Sequence, residues 1–241
     1  MVDETSLRRG HRYVTVLIDG ETGEGLGVIR RRDAKALSGF LAAQGHRWCQ
    51  GVKVVVTDGS PSYRAAIRQH LGHATHVVDR FHVTRWFAAG LIEVRRRVQR
   101  IAPPGQRPAF DPDIFRSRYL QLRRLDRLDV ERIERLGKVL ARDPQLEAAW
   151  RMLQHLYGIY LAEDSDQANQ ALPEFDKIIG ALLDWGDEIF AFHDTDGASN
   201  GRLEGTNNKL GVLKRIAYGF VNADNFGRRA LLQMRAMATS P

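Results

Sequence analysis

Cysteine occurs once in the 241 residues, at Cys49, so no disulfide can close within the chain and a cross-linked scaffold is excluded. A lone thiol also fits a reducing compartment. No apolar run approaches the roughly 18 residues needed to span a bilayer, and the opening MVDETSLRRGHR lacks the apolar stretch of a secretory signal. The expectation is a soluble, cytoplasmic protein. Repeats and low-complexity tracts are absent, as is any Cys-x-x-Cys pair. What remains is ordinary globular material: 43% hydrophobic and 27% charged residues, enough for one large domain or one domain carrying a sizeable insertion.

Charge is unevenly placed. The chain has 36 Lys+Arg against 29 Asp+Glu, a formal net charge of +7. Between Arg85 and Arg142 there are 15 basic and 7 acidic residues, and from Arg202 onward 7 against 2. Basic segments of this kind suit a polyphosphate partner, because each phosphate neutralised releases condensed counterions. A single basic helix is also, more blandly, a solvated face.

The first third alternates strand and helix signals. His11–Gly20 and Gly25–Arg30 read as a hairpin turning at Asp19-Gly20. Arg32–Gln44 places Ala36, Leu37, Phe40 and Leu41 on one helical stripe behind Asp33. Val52–Thr57 is a β-branched strand stopped by Asp58-Gly59, Pro61 opens a helix running to Leu71, and His76–Val78 is a short strand ending at Asp79. Met1–Glu4 reads as the end of a further strand. After Asp79 the texture turns helical: 81–100, 119–140, 144–162, 172–192 and, with a break near Tyr218-Gly219, 200–237, with a loop at Pro103-Pro104-Gly105 and Pro108. Strands then helices imply a mixed sheet with helices packed on it.

Three carboxylates stand out. Asp58 ends the strongest strand, at the sheet edge where α/β sites collect. Asp3 lies in the first strand block, and Glu204 opens the helix in SNGRLEGTNNKLGVLKR. Each has a plain structural alternative, a turn for Asp-Gly and a helix-dipole contact for Glu204. Converging from separate elements, they would make oxygen ligands for Mg²⁺, and two such ions about 4 Å apart suit in-line phosphoryl transfer.

Four segments, VDETSLRRGHRYVTVLIDGETG, VVVTDGSPSY, VVDRFHV and SNGRLEGTNNKLGVLKRIAYGF, resemble in sequence and order the DDE transposases of bacterial insertion sequences, in particular the insertion-sequence L-three group. The resemblance implies an α/β (α+β) fold: a ribonuclease-H-like mixed sheet interrupted by an all-helical insertion before the last catalytic helix. On that basis 1–84 form the first part of the catalytic domain, 85–195 the insertion, and 196–241 the completing helices. It implies Asp3, Asp58 and Glu204 as catalytic and metal-holding carboxylates for two Mg²⁺ ions, with Mn²⁺ substituting, and Asp79 and His82 as supporting residues. It also implies cleavage and strand transfer of double-stranded DNA, both element ends and target, within a homo-oligomeric synaptic complex. Relatives carry a zinc-binding and helix-turn-helix region before the first aspartate, whereas this chain begins two residues before Asp3. The expectation is a truncated remnant or a separately encoded recognition part. The alternative function is that of an inactive or repurposed remnant that only binds DNA.

Expected DNA contacts are Arg80, Trp86, Arg95, Arg96, Arg97, Asn207, Lys214 and Arg215. Trp86 either stacks on an unpaired base or packs in the helical core. Glu4 points to the opposite strand face from Asp3 and is the poorer ligand. His70, His73 and His76 have a spacing suggestive of zinc, but a helix-to-strand placement scatters their directions. Cys49, in a loop after Trp48, has no evident base, and Ser60 lacks a nucleophile-elbow pattern.

Overall fold

The structure, a computed structural model, describes residues 1–8, 12–100, 111–163, 185–216 and 223–238. The loop expected at 103–108, the first part of the helix expected from Leu172 and the break near Tyr218 lie outside these residues. The protein is a mixed α/β molecule dividing into two compact units, Met1–Asp79 with Trp185–Pro241, and Arg80–Asp184. No helix among the described residues is long and apolar enough to cross a membrane.

In the first unit, β1 (Val2–Arg8), β2 (Arg12–Ile18) and β3 (Gly25–Arg30) form an antiparallel sheet in that order. β1 therefore continues to Arg8 rather than ending at Glu4. Its polar sequence conceals it, since VDETSLR shows no apolar alternation and the pairing comes from the strongly β-branched β2. The chain goes on through α1 (Ala34–Gln44), capped by Asp33, whose side chain accepts from the Ala36 N–H, and through α2 (His46–Gln50). Cys49 thus lies in a short helix rather than a loop, buried, with its thiol donating to the Leu41 carbonyl. β4 (Val54–Thr57) and β5 (Thr75–Val78) form a parallel pair linked through α3 (Pro61–His70).

The period-two rule explains how the antiparallel sheet is covered. Val14, Val16 and Ile18 of β2 face a core completed by Leu203, Leu210, Phe226, Ala230 and Met234. The opposite face carries Val2 and Leu17, packed with Leu37, Leu41, Val55, Tyr63 and Ile67. β3 fits between because of its glycines. A bulge shifts the register between Leu17 and Ile18, so Gly27 pairs with Leu17 and Gly25 with Ile18. A Cβ on Gly27 would stand 2.5 Å from the Phe40 ring, and one on Gly25 2.8 Å from Met234.

The described residues of the second unit are helices and turns. α4 (Arg80–Val98), α5 (Pro112–Arg116), α6 (Val130–Leu140) and α7 (Pro144–Leu161) enclose Leu91, Ile114, Leu136, Val139, Leu146 and Leu153. The helix expected from 119 begins instead at Val130, where Asp129 caps it by accepting from the Arg132 N–H. The preceding stretch is held as turns by α7: Tyr157 donates to the Leu122 carbonyl, Gln154 donates to the Arg123 carbonyl, and the Leu125 N–H donates back to Gln154. The first unit is completed by α8 (Gly186–Asp194), α9 (Gly201–Ile216) and α10 (Ala223–Ala238).

Candidate active site

Asp3 pairs across the sheet with Val16 and so shares the face that α9 covers. It is 8% exposed, and its Oδ2 accepts from Asn207 Nδ2 at 2.9 Å, while Oδ1 accepts from the Glu4 N–H at 2.7 Å. Glu4 turns to the other face and accepts from Arg32. α9 lies along β1 on a stripe of residues seven apart. Asn200 Nδ2 donates to the Val2 carbonyl (3.4 Å), Asn207 to Asp3, and Lys214 Nζ to Thr5 Oγ1 (3.1 Å). Seven residues are close to two helical turns, so one face of α9 meets β1 from Val2 to Thr5. Glu204, half-buried in the first turn, belongs to the same stripe, four residues after Asn200 and three before Asn207.

Asp58 and Asp79 follow β4 and β5 directly. The parallel register Thr57↔Val78 brings the two out at the same strand ends, and the Asp79 N–H donates to the Thr57 carbonyl at 2.8 Å. Asp58 is half-buried and accepts from the Ser60 N–H at 3.0 Å, in a turn that needs Gly59 at φ +79° and feeds Pro61 into the start of α3. Asp79 is buried, and its Oδ1 accepts from the Asn200 N–H at 3.1 Å, while the Asn200 carbonyl accepts from the Glu204 N–H. Asn200 thereby ties β1, the end of β5 and the start of α9 together, a role the sequence signals only as a polar residue ahead of a helix.

Beneath the carboxylates Tyr63 is buried, with its hydroxyl 2.8 Å from Thr15 Oγ1. Burial pushes its phenol well above the usual tyrosine range; the Thr15 hydrogen bond opposes this, and the negative field of Asp58, Glu4 and Asp3 adds to it. Two of the carboxylates expected to be catalytic thus act on one side chain. Behind β5, Arg64 donates to both oxygens of Glu188 (2.6 and 3.0 Å) and lies 4.2 Å over the Trp185 ring. His76, hydrogen-bonded to Thr57 Oγ1, is lowered to about 4 by burial, then by Arg64 and Arg68. Glu188 stands 3.9 Å away, but both its oxygens are engaged by Arg64.

The remaining expected residues are placed variously. Asn207 and Lys214 donate to Asp3 and Thr5 of β1, while Arg215 is exposed. Burial pushes the Lys214 ammonium below the usual lysine range. In the helical unit Arg80, Arg96 and Arg97 are exposed, Arg97 donating to Gln145, and Trp86 is 41% exposed rather than a core residue. Arg95 faces inward, buried, and donates to Gln99 at 2.7 Å. His82 sits in the first turn of α4, its ring edge-on to Phe81. His70, His73 and His76 bond to Ser38, the Val52 carbonyl and Thr57 respectively, three separate places.

Asp3, Asp58 and Glu204 offer oxygen donors, the kind that a hard divalent cation takes. Asn207 Oδ1, beside Asp3, is buried without a partner. Among the described residues no three His, Cys, Asp or Glu side chains stand grouped to hold a metal ion.

A family model described as Transposase, that of the DDE insertion-sequence L-three (ISL3) group, matches residues 1–230. The chain is 26% identical over 250 aligned positions to the transposase for insertion sequence element IS1557 of Mycobacterium tuberculosis, covering 91% of this chain and 56% of that protein. It is 27% identical over 236 positions to the transposase for insertion sequence element IS1001 of Bordetella parapertussis, covering 93% of this chain and 58% of the relative. It therefore spans little more than half the length of these curated relatives. No solved structure matches it. With a match running from the first strand into α10, the chain belongs to the ISL3 family of transposases.

Proposed function

We propose that the first unit is the catalytic core of a DDE transposase, ribonuclease-H-like in architecture and interrupted by the helical unit, which cleaves DNA at the ends of an insertion sequence and joins the freed strand to target DNA. Asp3, Asp58 and Glu204 would hold two Mg²⁺ ions, or Mn²⁺ in their place, with Asp79 and His82 in support. The observation that carries this reading is the Asn207–Asp3 bond, a buried carboxylate tethered by the helix that also bears Glu204.

In the reaction, water attacks the phosphorus at the element end, the bond to the 3′ oxygen breaks, and that oxygen leaves as a 3′-OH. The 3′-OH then attacks a target phosphodiester, forming the new bond as the target strand breaks. When bound, the cations supply Lewis-acid polarisation and charge neutralisation at the phosphate. Asn207 fixes the orientation of Asp3. Asn200 holds Asp79 through its N–H and Glu204 through its carbonyl. The Asp58 turn holds that carboxylate at the end of β4 through the Ser60 N–H. Double-stranded DNA and a second copy of the transposase are the partners of this chemistry, in the cytoplasm.

The test is nicking of a labelled duplex carrying the neighbouring inverted repeat, with Mg²⁺, Mn²⁺ or chelator, wild type beside Asp58→Asn. Cation-dependent nicking that the variant loses, with DNA binding retained, is the expected result. Nicking that persists in the variant overturns the assignment. A second reading is DNA binding without catalysis, through the surplus of basic residues between Arg85 and Arg142. It requires that folded wild-type protein bind the duplex and never nick it.

A further inference from the structure

We propose that the surface formed by Phe115, Arg118 and Tyr119 in the helical unit is a docking site for a DNA strand with unpaired bases; the proposal rests on the transposase reading for its choice of nucleic acid. The segment is anchored from within. Ile114 belongs to the helical core, the Ser117 hydroxyl donates to the Ile114 carbonyl at 3.0 Å, and Gln121 Nε2 donates to Ser117 Oγ at 2.8 Å, all three residues being buried. Fixing Ile114, Ser117 and Gln121 inward turns Phe115, Arg116 and Tyr119 out. Phe115 is 38% and Tyr119 68% exposed, side by side.

The Arg118 guanidinium lies 4.3 Å from the Phe115 ring centroid and 4.4 Å from that of Tyr119, and donates to the Phe115 carbonyl at 3.2 Å. Two rings and one cation are thus assembled in advance, with half-buried Arg118 held in place by its own hydrogen bond. Further cations gather here. Burial, then the nearby charges of Arg96 and Arg118, lowers the pKa of Arg95, and Arg96 and Arg116 are exposed. Exposed π faces among clustered arginines fit a ligand that offers flat rings and phosphates together. A duplex would engage the arginines and leave the rings idle, because its bases are stacked on one another. A second copy of this chain, carrying a formal +7, would meet like charge.

The experiment is fluorescence anisotropy of the full chain with a labelled single-stranded oligonucleotide and with its duplex, at several salt concentrations, comparing wild type with Tyr119→Ala, Tyr119→Phe and Arg118→Ala. Tyr119→Ala should weaken single-strand binding about tenfold or more, with duplex binding held within about twofold. Tyr119→Phe should keep wild-type affinity, since the ring is retained. Arg118→Ala should weaken both and reduce the salt slope by about one. Single-strand affinity unchanged in Tyr119→Ala, or lost equally for both DNA forms, overturns the proposal. Asp58→Asn separates it from the active-site reading: if that variant nicks DNA while Tyr119→Ala still shows the selective loss, only the catalytic assignment fails. Wild type that binds neither form overturns both.

Discussion

Asn207 spends one end of its amide and leaves the other idle: Nδ2 holds Asp3, while Oδ1 is buried without a partner. A buried carbonyl oxygen left unsatisfied costs free energy. Asn207→Ala removes the Nδ2 bond to Asp3 and should slow nicking by about 10- to 100-fold, the range seen when an outer partner of a metal ligand is removed, with little change in the urea midpoint. Asn207→Asp should do worse, because it sets a second carboxylate against Asp3. Initial nicking rates beside urea melts separate these effects from a folding defect. Spacing in the sequence gives the helix face on which Asn207 lies and not the Asp3 that lies across from it. The partner became visible only once β1 was seen to lie under α9.

At the scale of elements, the parallel pair and its backing are sensitive to acid. The unfolded imidazole of His76 titrates near 6.5 and the folded one near 4, so between these values the unfolded chain binds more protons. Its contribution is complete above about pH 6.5 and is lost as pH falls towards 4, amounting to on the order of 2–3 kcal/mol. Urea midpoints from pH 7 to 4.5 should fall in wild type and fall less in His76→Gln. β3 makes a second test. Gly27→Ala drives a Cβ into the Phe40 ring and should destabilise by about 1–3 kcal/mol, read as a lower urea midpoint. β2, β3, β4, β5 and most helices could be read from periodicity, since their apolar residues follow the packing faces. β1 could not, because its pairing is tertiary and its sequence polar. The turns before Val130 resisted for a related reason. Leu122, Leu125 and Leu128 keep helical spacing, yet Gln154 and Tyr157 satisfy the backbone there and Asp129 starts the helix afresh.

For the whole molecule, the division into two units sets Asp3, Asp58, Asp79 and Glu204, the carboxylates proposed to act, in one and the arginine-rich helices in the other. The order of motifs along the chain was enough to bring out the family, because each motif marks an end or a crossing of that first unit: β1, the ends of β4 and β5, and α9. The basic surplus from Arg85 to Arg142 was legible as composition, whereas which arginines face outward was not, Arg95 being buried and Arg96 exposed. The central claim is that Asp3, Asp58 and Glu204 act as one cation-holding set. Its most direct test is Mn²⁺ binding to the full chain by electron paramagnetic resonance, wild type beside Asp3→Asn, Asp58→Asn and Glu204→Gln. Each variant should bind at least about tenfold more weakly than wild type. Affinity unchanged in all three would contradict the account.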